Sequence, residues 1–112
     1  MKLKNLFLIV LCIAYSCVAA KQDYDKAYQE VENRLQIIKG YIDNGDSDPS
    51  LRRVEAIIFF ENLTGIVSES DGNDIGKMEP TESDYQKWNK WYILNKSRIY
   101  WDSKTENVRL IE

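Results

Sequence analysis

Residues 85–101 read YQKWNKWYILNKSRIYW: six aromatic rings interleaved with four cations and no acidic residue, in a chain that is otherwise acidic. At about 100° per residue, Trp91, Trp88, Tyr92 and Tyr85 fall on one arc of a helix about 120° wide, with Lys87 and Lys90 roughly opposite. The spacing predicts an amphipathic helix with an aromatic face. Just upstream, Pro80-Thr81-Glu82-Ser83-Asp84 reads as its start: Thr81 can accept from a first-turn N–H, and Glu82 and Asp84 suit the positive end of the helix dipole.

Two readings compete for this arc. In one, Trp88, Trp91, Tyr92 and the nearby Trp101, flanked by Lys87 and Lys90, form an exposed binding surface that stacks on sugars or anchors a protein partner. In the other the rings are core. Aromatic stripes at helical spacing usually pack inward, so the second is favoured, with a few rings left for a surface groove.

The N-terminus carries the pattern of a targeting segment. Lys2 and Lys4 precede an apolar run from Leu6 to Ile13, and Val18-Ala19-Ala20 offers a small-residue cleavage site, so residues 1–20 read as a signal peptide. The apolar part falls short of the roughly 20 residues a membrane-spanning helix needs. Cleavage would leave residues 21–112 as a single helix-rich domain and, by removing Lys2 and Lys4, would move the net charge from −3 to −5. That balance argues against nucleic-acid binding, which needs a basic footprint. The expected location is periplasmic or secreted.

Both cysteines, Cys12 and Cys17, sit in this segment, and the chain has no histidine. Ser-His and Cys-His nucleophiles, a disulfide scaffold and the familiar zinc sites are therefore not expected in the mature domain. No cofactor is expected, and paired carboxylates would need a cleft that a domain of this size has little room for. Ala14-Tyr15-Ser16-Cys17 resembles the lipobox of bacterial lipoproteins, which would make Cys17 a lipidation site and anchor the protein to a membrane.

Along the domain, Tyr24, Tyr28, Val31, Leu35, Ile38 and Ile42 recur at spacings of 4, 3, 4, 3 and 4 and predict a first helix, capped by Asp23 or Asp25 and stopped at Asn44-Gly45. Asp48-Pro49 announces a second helix running to about Leu63, with Gly65 as its stop. Its second half is apolar nearly all round, which predicts the central, most buried element, with Arg52 and Arg53 on the exposed side. Residues 44–55 also place Asn44, Asp46 and Asp48 near EF-hand positions, but Pro49 stands where that loop needs glycine, and an acidic turn is the better reading.

Residues 66–80 shift to Ser, Asp, Gly and Glu and predict a long flexible loop with a turn at Asp71-Gly72. After the aromatic helix, Arg98–Asp102 and Asn107–Ile111 predict two short strands, with Ile99 and Trp101 facing the core beside Val108 and Leu110. Asn62-Leu63-Thr64 and Asn95-Lys96-Ser97 match the glycosylation pattern; within an apolar helix the first is a chance match.

Leu63-Thr64-Gly65, Gly76, Asp84-x-x-x-Trp88-x-x-Trp91-Tyr92-x-x-Asn95-Lys96 and Tyr100-Trp101-Asp102 together resemble a module found at the ends of some bacterial HEAT-repeat proteins, over residues 54–102. The resemblance implies a helical packing and capping unit, not a catalytic one. The overall expectation is a mainly α, three-helix domain with a short C-terminal β-hairpin. Export without the usual catalytic side chains predicts a non-enzymatic interaction protein that binds another envelope protein, as an inhibitor or accessory subunit does. The alternative is a glycan-binding module that uses Trp88, Trp91 or Trp101 as stacking platforms.

Overall fold

The computed structural model describes the backbone of residues 2–45, 51–70, 72–73, 76–77 and 79–112, and the side chains of residues 23–45, 51–70 and 79–112. Among the described residues there are three helices, α1 (Lys2–Asn44), α2 (Arg52–Thr64) and α3 (Glu82–Asn95), and two antiparallel strand pairs. A small pair, β1 (Gly72–Asn73) and β2 (Gly76–Lys77), lies between α2 and α3. The C-terminal hairpin, β3 (Ile99–Asp102) and β4 (Asn107–Leu110), follows α3 through one 3-10 turn, Lys96–Arg98.

The expected mainly α fold with a C-terminal hairpin is present, with several differences in detail. Helix α1 does not begin at Asp23 but continues through it from Lys2. No glycine or proline interrupts the stretch before Asp23, so nothing there ends the helix. Helix α2 begins at Arg52, after Leu51 in the left-handed region at φ 59°; the expected cap at Asp48-Pro49 lies outside the described residues. Strands β1 and β2 stand where a long loop was expected; Gly72, expected in a turn, is in a strand, and its expected turn partner Asp71 lies outside the described residues.

The central element is α1, not α2. From Asp23 to Asn44 it is about 33 Å long at 1.5 Å per residue, enough to touch α2, α3 and both strands of the hairpin. Its inward stripe is Ala27, Val31, Leu35 and Ile38, while Tyr24, expected on that stripe, is exposed. Helix α2 buries Val54, Ala56, Ile57 and Phe60 but leaves Ile58 exposed, so its apolar second half is only partly covered. Trp88 and Tyr92 of α3, Ile99 of β3 and Val108 of β4 complete the core.

Helix ends follow local chemistry. Gly65 closes α2 at φ 73°, its N–H donating to the Glu61 carbonyl at 3.0 Å. A Cβ at Gly65 would meet no atom within 4 Å, so only the backbone conformation opposes substitution. Gly65→Ala is expected to cost about 1 kcal/mol, the penalty of the left-handed region for a residue with a Cβ. An unchanged urea midpoint would show that this cap contributes nothing.

Helix α3 starts at a capping box. The Asp84 N–H donates to Thr81 Oγ1 at 3.1 Å, and the Thr81 N–H donates back to Asp84 Oδ2 at 3.0 Å. The same carboxylate accepts from Ser68 Oγ at 2.5 Å and from the Glu69 N–H at 2.8 Å. Asp84 thus clamps the segment leaving α2 against the start of α3. In the hairpin, Ile99 pairs with Leu110 and Trp101 with Val108, which puts the two expected alternating sets on one face. Asp102 Oδ1 accepts from the Lys104 N–H at 3.0 Å and fixes the turn.

Candidate functional site

Of the six candidate binding residues singled out by sequence, two are buried, two half-buried and two exposed. Trp88 is fully buried, stacked on Phe60 with ring centroids 5.1 Å apart and planes 17° apart. Its Nε1–H donates to the Ile66 carbonyl at 3.0 Å. Tyr92 is buried beside it, and its hydroxyl donates to Glu32 Oε1 at 3.0 Å. Desolvation, then this hydrogen bond to a carboxylate, pushes the Tyr92 phenol well above its ordinary pKa. A fully buried ring such as Trp88 has no face to offer a sugar while the domain is folded.

Trp91 and Trp101 are half-buried and pack against the core edge. Lys26 Nζ covers the Trp101 ring at 4.7 Å, and Lys96 Nζ lies 4.8 Å from the Tyr28 centroid. Lysine ammonium groups thus cover aromatic faces that could otherwise stack on a ligand. Lys87 is exposed and bonds Glu69 Oε1 at 2.7 Å; this contact raises the Lys87 pKa and lowers that of Glu69. Lys90 is exposed on the outer face of α3. Cys17 lies outside the side chains described.

The cleft is elsewhere. An open groove of about 970 Å³ runs between the C-terminal turn of α2, the start of the described part of α1 and the hairpin. Helix α2 contributes Phe59, Asn62 and Leu63; α1 contributes Asp23 and Tyr24. The hairpin wall is Tyr100 with every residue from Asn107 to Glu112. Phe59 is held from behind, edge-on to Phe60 at 5.1 Å and under the Arg34 guanidinium at 4.1 Å. The tail after β4 is tied down by Arg98, whose carbonyl accepts from the Ile111 N–H at 2.6 Å and whose side chain donates to the Ile111 carbonyl at 3.2 Å.

The groove is amphipathic, with rings at Tyr24, Phe59 and Tyr100, amides at Asn62 and Asn107, and carboxylates at Asp23 and Glu112. Its cation, Arg109, lies with Nε 3.3 Å from Asp102 Oδ2. Among the described residues, no cluster of three or more His, Cys, Asp or Glu could hold a metal ion, and no helix is long and apolar enough to cross a membrane. Sequence reasoning missed this site because its residues come from three segments with no common spacing. One signal was available: Tyr24 is large and aromatic yet stands at the first position of its stripe, and Asn62 is polar within an apolar helix.

No family model matches the chain, and neither the curated proteins nor the solved structures include a match.

Proposed function

We propose that this chain is a small exported interaction protein that binds another protein of the cell envelope and catalyses no reaction, as an inhibitor or accessory subunit does. The observation that carries this reading is the open groove, walled by a tied-down hairpin and two helices and lined by rings and amides that point to binding. Two titratable groups with shifted pKa values, one lowered by hydrogen bonds and one raised by burial, support it. Asp84 and Tyr92 lie outside the groove and spend their hydrogen bonds holding elements together. Export rests on the pattern of residues 1–20, with lipid anchoring at Cys17 as its variant. The resemblance of residues 54–102 to a module at the ends of some bacterial HEAT-repeat proteins implies a packing and capping unit, not a catalytic one, and accords with this reading.

The test is expression of the full chain with a C-terminal tag in its native cells, followed by fractionation and affinity capture. The expected result is recovery from the envelope fraction with one stoichiometric protein, whose capture is lost in Asn62→Trp, a change at an exposed position that fills the groove. Retention in the cytoplasm, or substrate turnover abolished by Asp23→Asn or Glu112→Gln, would overturn the proposal. A second reading keeps the glycan but moves it. Tyr24, Tyr100, Asn62 and Asn107 bring rings and amides together in the groove as sugar sites do, whereas the tryptophans are packed or covered. Capture of cell-wall fragments without protein would favour it.

A further inference from the structure

We infer that the groove recognises its protein partner by strand addition: an extended segment, alternating apolar residues and carrying a basic side chain, pairs with the open edge of β4. This rests on the interaction-protein reading and adds the mode and the chemistry of the partner.

The phase of the hairpin fixes which groups are open. The Ile111 N–H bonds to the Arg98 carbonyl, so residues 98 and 111 form a hydrogen-bonded pair. Antiparallel ladders alternate, so Tyr100/Arg109 and Asp102/Asn107 exchange bonds within the hairpin, while Ile99/Leu110 and Trp101/Val108 do not. The N–H and C=O of Val108 and Leu110 therefore turn away from β3. Among the described residues no strand lies on that side.

That side is the groove. Neighbouring side chains of a strand point to opposite faces, so a wall made of both parities, from Asn107 through Glu112, is a strand seen edge-on. Unused strand edges are commonly blunted by proline, a bulge or inward charge. Here β4 has no proline, pairs without a bulge, and its Arg109 is drawn back across the hairpin to Asp102.

The lining sets the occupant. Phe59 and Leu63 offer apolar surface to every second side chain of an added strand. Asp23 and Glu112 supply two carboxylates, and Arg109 is balanced by Asp102, so the charge left over favours a basic residue in the partner. The four residues of β4 span about 13 Å, which matches a peptide of about five or six residues with its ends overhanging.

The experiment uses the full chain, labelled with 15N, and a capped six-residue probe alternating valine and threonine with one threonine replaced by lysine. Amide exchange is followed residue by residue. The expected result is protection of the Val108 and Leu110 amides by about tenfold or more at saturating probe, with the Arg109 amide, already bonded to β3, little changed. A probe N-methylated at the pairing positions should give no protection, and exchanging its lysine for glutamate should weaken binding several-fold. Asn62→Trp should abolish the effect while leaving the circular dichroism spectrum unchanged.

Absence of probe binding, or binding without protection of Val108 and Leu110, would overturn the inference. So would protection that grows with protein concentration alone, which would make the occupant a second copy, or shifts given by chitin oligosaccharides and not by the peptide. If a captured envelope protein still binds Asn62→Trp and protects neither amide, the strand-addition inference falls while the interaction-protein reading survives.

Discussion

Trp88→Ala is expected to lower the free energy of unfolding by about 4 kcal/mol, the usual range for emptying a large aromatic site in a core being roughly 3–5 kcal/mol. The ring is fully buried, stacked on Phe60, and joined through Nε1 to the Ile66 carbonyl, so one change removes packing and a hydrogen bond together. A domain of this size has a total stability of about 5–13 kcal/mol. The variant should therefore sit near the threshold of folding. Trp88→Phe keeps an aromatic stack on Phe60 and loses the donor, and is expected to cost less, about 1–2 kcal/mol. Urea unfolding followed by far-ultraviolet circular dichroism measures both. A loss below about 1 kcal/mol for Trp88→Ala would mean that the aromatic arc is not the core and would reopen it as a binding surface.

The second large effect is at Asp84. Asp84→Ala removes the acceptor for Ser68 Oγ, the Glu69 N–H and the Thr81 N–H at once, and leaves a buried hydroxyl and two backbone donors to find other partners. Hydrogen bonds to charged groups contribute about 1.5–3 kcal/mol each but are not additive, and an overall cost of about 3 kcal/mol is expected. The damage should localise: the segment from Ile66 to Ser70 and the first turn of α3 lose amide protection before the rest.

Asp84 also makes stability depend on pH. Burial pushes its pKa up, but the bonds from Ser68, Glu69 and Thr81 outweigh burial and hold it below the ordinary carboxylate value. A lowered folded-state pKa means that the unfolded chain takes up the proton first as pH falls. The stabilisation is then full above the unfolded value near 3.9 and is lost as pH drops through the folded one. Asp84→Asn cannot titrate. The wild-type urea midpoint should therefore fall more steeply than that of Asp84→Asn between about pH 5 and pH 2. Parallel curves would assign the acid sensitivity to other carboxylates, with Asp102 and Glu69, both lowered by their own hydrogen bonds, the next to test.

The parts of the fold that depend on short-range chemistry were readable before the structure. The Thr81 cap, the Gly65 stop and the two strands with alternating Ile99, Trp101, Val108 and Leu110 all follow from patterns a few residues long. Where patterns competed, the readings slipped. The run Ile57-Ile58-Phe59-Phe60 suggested burial on every side, yet α2 has α1 and α3 on only part of its circumference and leaves Ile58 in solvent. Tyr24 fits its stripe by spacing, but it lies beside the groove, where nothing covers it fully.

By itself, the sequence determined the class of structure and the chemistry that is missing. Helix periodicity, caps and strand alternation are local, and the lack of histidine and of cysteine beyond residue 17 is a matter of composition. Only the tertiary structure decided what is on the surface. Whether a ring is core or platform depends on which distant face meets it, as Phe60 meets Trp88 and Lys26 meets Trp101. The groove exists because Asp23, Asn62 and Asn107, far apart in the chain, are brought to one place, and its open β4 edge because no further strand lies beside that hairpin among the described residues.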